Sequence, residues 1–222
     1  MDTVLIIGAG PGIGLSTARA FQHAGYSVAT ASRTRQRKAD PSMRHFAFDA
    51  AKPDTVKALF AEVTAAMGPP KVVIYNTAQR FATEPEEPFG LDLDQVQETL
   101  AVNAISAYAA AREAVKGFEK TGQGSTFIMT GNMLNTVALP GILCFGMGKS
   151  AAAHMIQNAS ISYKNKGYKF YYADQRQPDS GPTIPVDGEA HAKLYLDLVK
   201  DTEQKPWDYT FVDGQGYVSF ST

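Results

Sequence analysis

Ile7-Gly8-Ala9-Gly10-Pro11-Gly12-Ile13-Gly14 stands between the apolar, β-branched run Thr3 to Ile7 and a segment of helical period, Gly12 to Ala24. Its place at a strand-to-helix turn makes the cluster of glycines informative. A diphosphate needs a tight turn, with backbone N–H groups and a helix N-terminus aimed at it, and side chains at the points of close approach would block it. Ile13 occupies the position where Gly-x-Gly-x-x-Gly, counted from Gly8, would place its last glycine. Gly8, Gly12 and Gly14 instead spell Gly-x-x-x-Gly-x-Gly. Gly8, Gly10, Gly12, Ile13 and Gly14 are therefore the candidate phosphate-binding residues.

Working outward, short apolar runs alternate with longer segments of helical period, the pattern of a parallel sheet covered on both faces. Strands are expected at Thr3 to Ile7, Tyr26 to Ala31, Arg44 to Phe48, Lys71 to Tyr75, Ser125 to Thr130, Tyr168 to Ala173 and Asp208 to Val212. Helices are expected at Gly12 to Ala24, Pro53 to Met67, Leu93 to Lys120, Leu143 to Lys166 and Gly188 to Lys200. The fold class read from this is α/β: a doubly wound Rossmann fold, a seven-stranded, mostly parallel sheet with helices on both faces. One dinucleotide-binding domain spans residues 1–222, with a short or rebuilt lid around residues 174–188, within which the prolines and glycines of Gln177 to Gly188 mark a loop.

Charge and cysteine content narrow the function classes. Lys plus Arg number 21 against 22 Asp plus Glu, so there is no electrostatic footprint for nucleic acid or an anionic membrane. The run Val4 to Ile7, preceded by Asp2, is too short for a membrane span or a signal sequence. Cys144 is the single cysteine, which excludes an internal disulfide and fits a reducing, cytoplasmic location. Cys144 reads as a small buried hydrophobe, and His154 as a packed or interface residue. His23, His45 and His191 show no metal-ligand spacing, and no metal is expected. The partner left is a small molecule.

About 20 residues past the glycine loop, NAD-binding domains place an acid on the ribose 2′-hydroxyl, whereas an arginine there accommodates a 2′-phosphate. This chain has Ala31-Ser32-Arg33, followed by Arg35, Arg37 and Lys38. Ser32 and Arg33 therefore predict NADP(H) as the cofactor.

The glycine spacing, and the order of the residues after it, resemble the short-chain dehydrogenase/reductase family over nearly the whole chain. The resemblance assigns Asp49 a place beside the adenine, Asn76 in Tyr75-Asn76-Thr77-Ala78 a place in the cofactor floor, and Asn103 the role of a helix-bending asparagine. The family's active site pairs a tyrosine with a lysine four residues on, and has a serine about a dozen residues earlier. Here Phe145 and Lys149 hold the paired positions, on one helix face. Counted back from Pro140-Gly141, the serine position falls on Asn132. Lys149, which the family uses to bridge the nicotinamide ribose hydroxyls, and Asn103 are kept; the tyrosine and serine are replaced.

Phe145 has no proton to give, and Asn132 can polarise a carbonyl but not protonate it. A positioned acid is worth roughly 10² to 10⁴ in rate. The expected function is an NADP(H)-dependent oxidoreductase with an altered proton donor, acting on a small organic carbonyl or imine. Three compensations stay open: an iminium-type substrate that needs no proton at the same step, with Phe145 as an apolar wall; another donor, with Tyr171, Tyr172 and Asp174 as candidates; or non-redox chemistry. The alternative function is accordingly a cyclase, isomerase or catalytically weak protein that retains NADP(H) binding. Alanine-rich faces on the helices Leu93 to Lys120 and Leu143 to Lys166 resemble the family's four-helix interface, which implies a homodimer or homotetramer.

Overall fold

A computed structural model describes residues 1–34 and 40–220. The first strand, β1 (Thr3–Ile7), is buried at every position, as a strand covered on both faces must be. Around it lie β2 (Ser27–Ser32), β3 (Arg44–Ala47), β4 (Val72–Tyr75), β5 (Thr126–Thr130), β6 (Lys169–Gln175), β7 (Asp208–Val212) and β8 (Gly216–Tyr217). They form one sheet in the order β3-β2-β1-β4-β5-β6-β7-β8. Every pairing is parallel except β7 with β8, where Phe211 stands opposite Tyr217. The seven-strand expectation is thus corrected to eight. The added strand is a two-residue edge return whose sequence carries no alternation to read.

Helices α1 (Ile13–His23) and α6 (Gly188–Lys200) cover one face, burying Phe21, Leu194 and Tyr195 against Val4, Ile6, Ile74 and Tyr171. Helices α2 (Val56–Met67), α4 (Ser106–Thr121) and α5 (Leu143–Ser162) cover the other, burying Phe60, Phe118 and Ile156 against Leu5, Val73, Phe127 and Tyr172. The helix read as continuous from Leu93 to Lys120 is interrupted: α3 (Leu93–Leu100) passes through a wide π turn, Ala101–Ile105, before α4. Such bulges recur at functional sites, and this one carries Asn103.

A further difference concerns residues 174–188. Asp174 and Gln175 continue β6 and are buried, so the strand runs two residues past its expected end at Ala173. From there Arg176 bridges Pro182, the Gln177 carbonyl accepts from the Ser180 N–H, and the Gln177 N–H reaches the Gly181 carbonyl at 2.8 Å. Asp187 then caps α6 by accepting from the N–H groups of Glu189 and Ala190. Among the described residues no helix intervenes between β6 and α6.

Candidate active site

The sheet order reverses between β1 and β4, which opens a crevice beyond the C-terminal ends of those strands. The glycine loop lies there. Gly8 has φ +92°, and a Cβ on it would stand 2.5 Å from the Thr77 nitrogen. A Cβ on Gly14 would run into the Gly8 carbonyl oxygen and come within 2.7 Å of the Ala9 Cα. These two glycines let the turn and the helix start pack. Gly10 and Gly12 differ, since nothing lies within 4 Å of a Cβ built on either. Their open side faces away from protein, at the start of α1, where unpaired helical N–H groups favour an anion. Ile13 is buried in the α1–α6 core, so only its main chain could serve a ligand.

Asn76 is the latch beneath this loop. Its Nδ2 donates to the Gly8 carbonyl at 2.8 Å, and its Oδ1 accepts from the Thr130 hydroxyl at 2.8 Å. That hydroxyl in turn meets the Tyr195 hydroxyl at 2.8 Å. The chain of bonds ties the ends of β1, β4 and β5 to α6.

Next to the loop is a cleft of about 310 Å³ lined by Gly8, Gly10, Ser32, Arg33, Asp49 and Asn76, among others. The Ser32 hydroxyl donates to the Thr34 carbonyl, and Asp49 accepts from the Ala51 N–H, so both shape the cleft walls. Arg33 is exposed, and no ion pair among the described residues engages it. Arg35, Arg37 and Lys38 lie outside the described residues.

A second group gathers at the end of β5. Lys149 on α5 is only 3% exposed, and its Nζ donates to the Thr130 carbonyl at 2.9 Å. Burial pulls its pKa down to about 8, against the pull of Asp174 in the other direction. The half-buried Phe145 lies one turn earlier, with its ring centroid 5.5 Å from Nζ. Asn103 is fully buried; its Nδ2 donates to the carbonyls of Gln79 and Thr99. A Cβ on Gly148 would stand 2.7 Å from the Asn103 Cβ, so that glycine lets α5 press against the π turn. Asn132 spends its Oδ1 on the Leu134 N–H, while its Nδ2 has no protein partner among the described residues. The cofactor and catalytic candidates thus fall into two adjoining groups, with Lys149 in the second.

Of the three tyrosine and aspartate candidates, one is displaced. Tyr171 faces the α1–α6 core and donates to the Glu203 carbonyl, away from Lys149. Tyr172 lies under the site, its hydroxyl donating to the Asn132 carbonyl and accepting the Asn132 N–H. Burial pushes its pKa far above the usual phenol range. Asp174 is 2% exposed and ion-paired to Arg176; burial pushes it up to about 6, with Arg176 opposing. Arg176 and Asp208, which sequence reasoning missed, join this cluster. Asp208 accepts from Asn135 Nδ2 at 3.2 Å, and burial raises its pKa. Asp208 is distant in sequence from the rest, and Arg176, two residues past Asp174, stands where a loop was expected to begin. Cys144 is buried, His154 is exposed, and no cluster of metal-ligating side chains occurs among the described residues.

The short chain dehydrogenase family profile matches residues 2–171. The chain belongs to the short-chain dehydrogenase/reductase family. It is 40% identical over 231 residues to the short chain dehydrogenase/reductase dmxR12 of Cryptosporiopsis sp. (strain 8999), covering 98% of this chain and 94% of that protein. Among solved structures it superposes on a metagenomic short-chain oxidoreductase in complex with NADP, with TM-score 0.82, 14% identity, and 95% and 96% of the two chains covered. It also superposes on the NADH-dependent reductase A1-R′ complexed with NAD, with TM-score 0.76, 17% identity, and 89% and 88% covered. At such identities the structures establish the fold of this short-chain dehydrogenase/reductase and no more. The residues present fit a dinucleotide: the space beside Gly10 and Gly12 is open, and a polar cleft continues from it past the end of β2. No helix among the described residues is long and apolar enough to cross a membrane.

Proposed function

We propose that this protein is an NADP(H)-dependent oxidoreductase with an altered proton donor, acting on a small organic carbonyl or imine. The observation that carries the cofactor choice is the end of β2: Ser32 and Arg33 line the cleft beside the glycine loop, and β2 ends without a carboxylate. Gly12, Ile13 and Gly14 would hold the diphosphate with main-chain N–H groups at the start of α1; Gly8 and Gly10, whose N–H groups bond the Ala31 and Gly8 carbonyls, would shape the turn and leave it room; Arg33 would take the 2′-phosphate and Asp49 the adenine side. When bound, the reduced dinucleotide supplies a hydride. Lys149 would hold the nicotinamide ribose and keep a positive charge at the reacting centre. Asn132 Nδ2 would donate to a carbonyl oxygen or a neutral imine nitrogen, and Phe145, at the position of the family's tyrosine, would close the pocket with an apolar wall. The absence of a hydroxyl on Phe145 suits an electrophile that is already cationic, because it accepts hydride with no proton transfer at the same step; for such a substrate Asn132 would make no bond to the nitrogen.

The absence of a hydroxyl on Phe145 also favours a second reading, a non-redox cyclase or isomerase that keeps NADP(H) as a structural ligand. One assay separates the two. Cyclic imines, enones and ketones are offered with NADPH while its absorption and the products are followed together. Consumption of NADPH in step with product supports the oxidoreductase; product at constant NADPH supports the alternative. We also assign a homodimer or homotetramer and a cytoplasmic location. An apolar groove between α4 and α5, lined by Tyr108, Ala111, Val115, Met155 and Ala159, supports the assembly.

A further inference from the structure

Four charged side chains gather around the C-terminal end of β6 and the first residue of β7, and the proposed chemistry uses only one of them. Lys149 and Arg176 are the cations, Asp174 and Asp208 the anions; the first three are at most 7% exposed and Asp208 is half-buried. Backbone pairing fixes their arrangement. The Lys149 Nζ sits on the Thr130 carbonyl, Thr130 pairs with Ala173 across the β5–β6 ladder, and Asp174 is the next residue along. Strand alternation sends the Asp174 side chain to the same face as Phe170 and Tyr172, which is the face covered by α5. Carboxylate and ammonium therefore share one closed compartment.

We infer that Asp174 is a positioning residue for this site: its carboxylate is the built-in counter-charge that keeps the buried Lys149 in the ammonium form. The inference rests on the proposed role of Lys149. A lone buried ammonium loses its hydration and sheds its proton readily. Asp174 on β6 is the charged group that acts on Lys149, and the titratable groups around Asp174 in turn are Tyr172 on β6, Tyr195 on α6, Asp208 on β7 and Arg176 just beyond β6. Both tyrosines are held in the neutral form by burial, so the anions available are the two aspartates. Asp208 is bonded to Asn135, whereas Asp174 acts directly on Lys149. Arg176 balances Asp174 and also donates to the Ser180 carbonyl at 2.9 Å, which anchors the loop after β6 to the same compartment.

The test is the titration of Lys149 itself in the nucleotide-free protein, read by NMR on lysine labelled at Cε and assigned with Lys149→Arg. In the wild type its resonance is expected to titrate near pH 8, with a smaller inflection near pH 6 as Asp174 ionises. In Asp174→Asn the main midpoint should fall by at least about one unit, the scale expected on losing a nearby opposite charge. It should stay low in Asp174→Asn/Arg176→Gln, which leaves no orphaned guanidinium. Lys169, buried at the far end of β6 on the α6 carbonyls, should not move and reports that the fold is intact. An unchanged midpoint in Asp174→Asn, a return to the wild-type value in the double variant, or a wild-type curve without the lower inflection overturns the inference. The wild-type curve decides alone if the variants fail to fold. Loss of the proposed cofactor role would show separately, as intact lysine titration without nucleotide binding.

Discussion

Replacing Arg33 with aspartate should reverse the cofactor preference, and the size of the change follows from where that residue sits. Arg33 is exposed at the cleft mouth, so its bonds to a 2′-phosphate fall at the weak end of the charged range, about 1.5 kcal/mol each. Two of them from the guanidinium fork sum to about 3 kcal/mol, or roughly 100-fold in Kd. Aspartate restores an acceptor for a ribose diol, about 1 kcal/mol or some fivefold towards NADH. The ratio of NADPH to NADH affinities should therefore fall by about 10² to 10³. Fluorescence titrations of both cofactors, on wild type and Arg33→Asp, measure it. Salt is an internal check, because an exposed ion pair is screened and the wild-type preference should shrink as ionic strength rises. A ratio unchanged by the substitution refutes the assignment of Arg33.

The other expectations concern the turn, Phe145 and the buried lysine. Gly14→Ala drives a methyl into the Gly8–Ala9 backbone, which cannot yield as a side chain would, and should cost about 1 to 3 kcal/mol; an unchanged Tm contradicts the close packing of the loop. Phe145→Tyr combined with Asn132→Ser should raise NADPH-dependent ketone reduction by roughly 10² to 10⁴, and no gain in a folded double variant would deny that the rest of the redox site is in place. For Lys149, the folded-state pKa of about 8 lies below the ordinary 10.5. Between those values the unfolded chain binds the proton and the folded one does not, so stability contributed by this group rises with pH across that window. Lys149→Met should remove up to about 3 kcal/mol of that rise. Denaturant unfolding at pH 8 and pH 10 checks the slope, and equal slopes in the two proteins would deny the depressed pKa.

The helix boundaries and the glycine turn were legible because they rest on local chemistry: Pro53 opens a 3-10 turn leading into α2, and the glycine spacing lies directly after β1. Seven of the strands were legible for the same reason. The π turn at Ala101–Ile105 was not, since a single extra residue per turn leaves the apolar period of a long helix nearly unchanged. Asp174 and Gln175 read as loop because two polar residues at a strand end ordinarily meet water. They stay in β6 because distant partners receive them: Arg176 pairs with Asp174, and Gln175 Oε1 accepts the Asp187 N–H. For the same reason Asp208 escaped notice, while Lys149, Asn103 and Asn132 were singled out through a family resemblance that fixes their order. The same resemblance singled out Asn76, whose side chain is bound to the loop and strands beneath.

Calorimetry of the folded wild-type protein with NADPH, and separately with NADP+, addresses the nucleotide site that everything else presupposes. Saturable binding of at least one of them, at one site per chain and tighter than that of NADH, is the expected result. No heat with either, from protein whose fold has been verified, would contradict it.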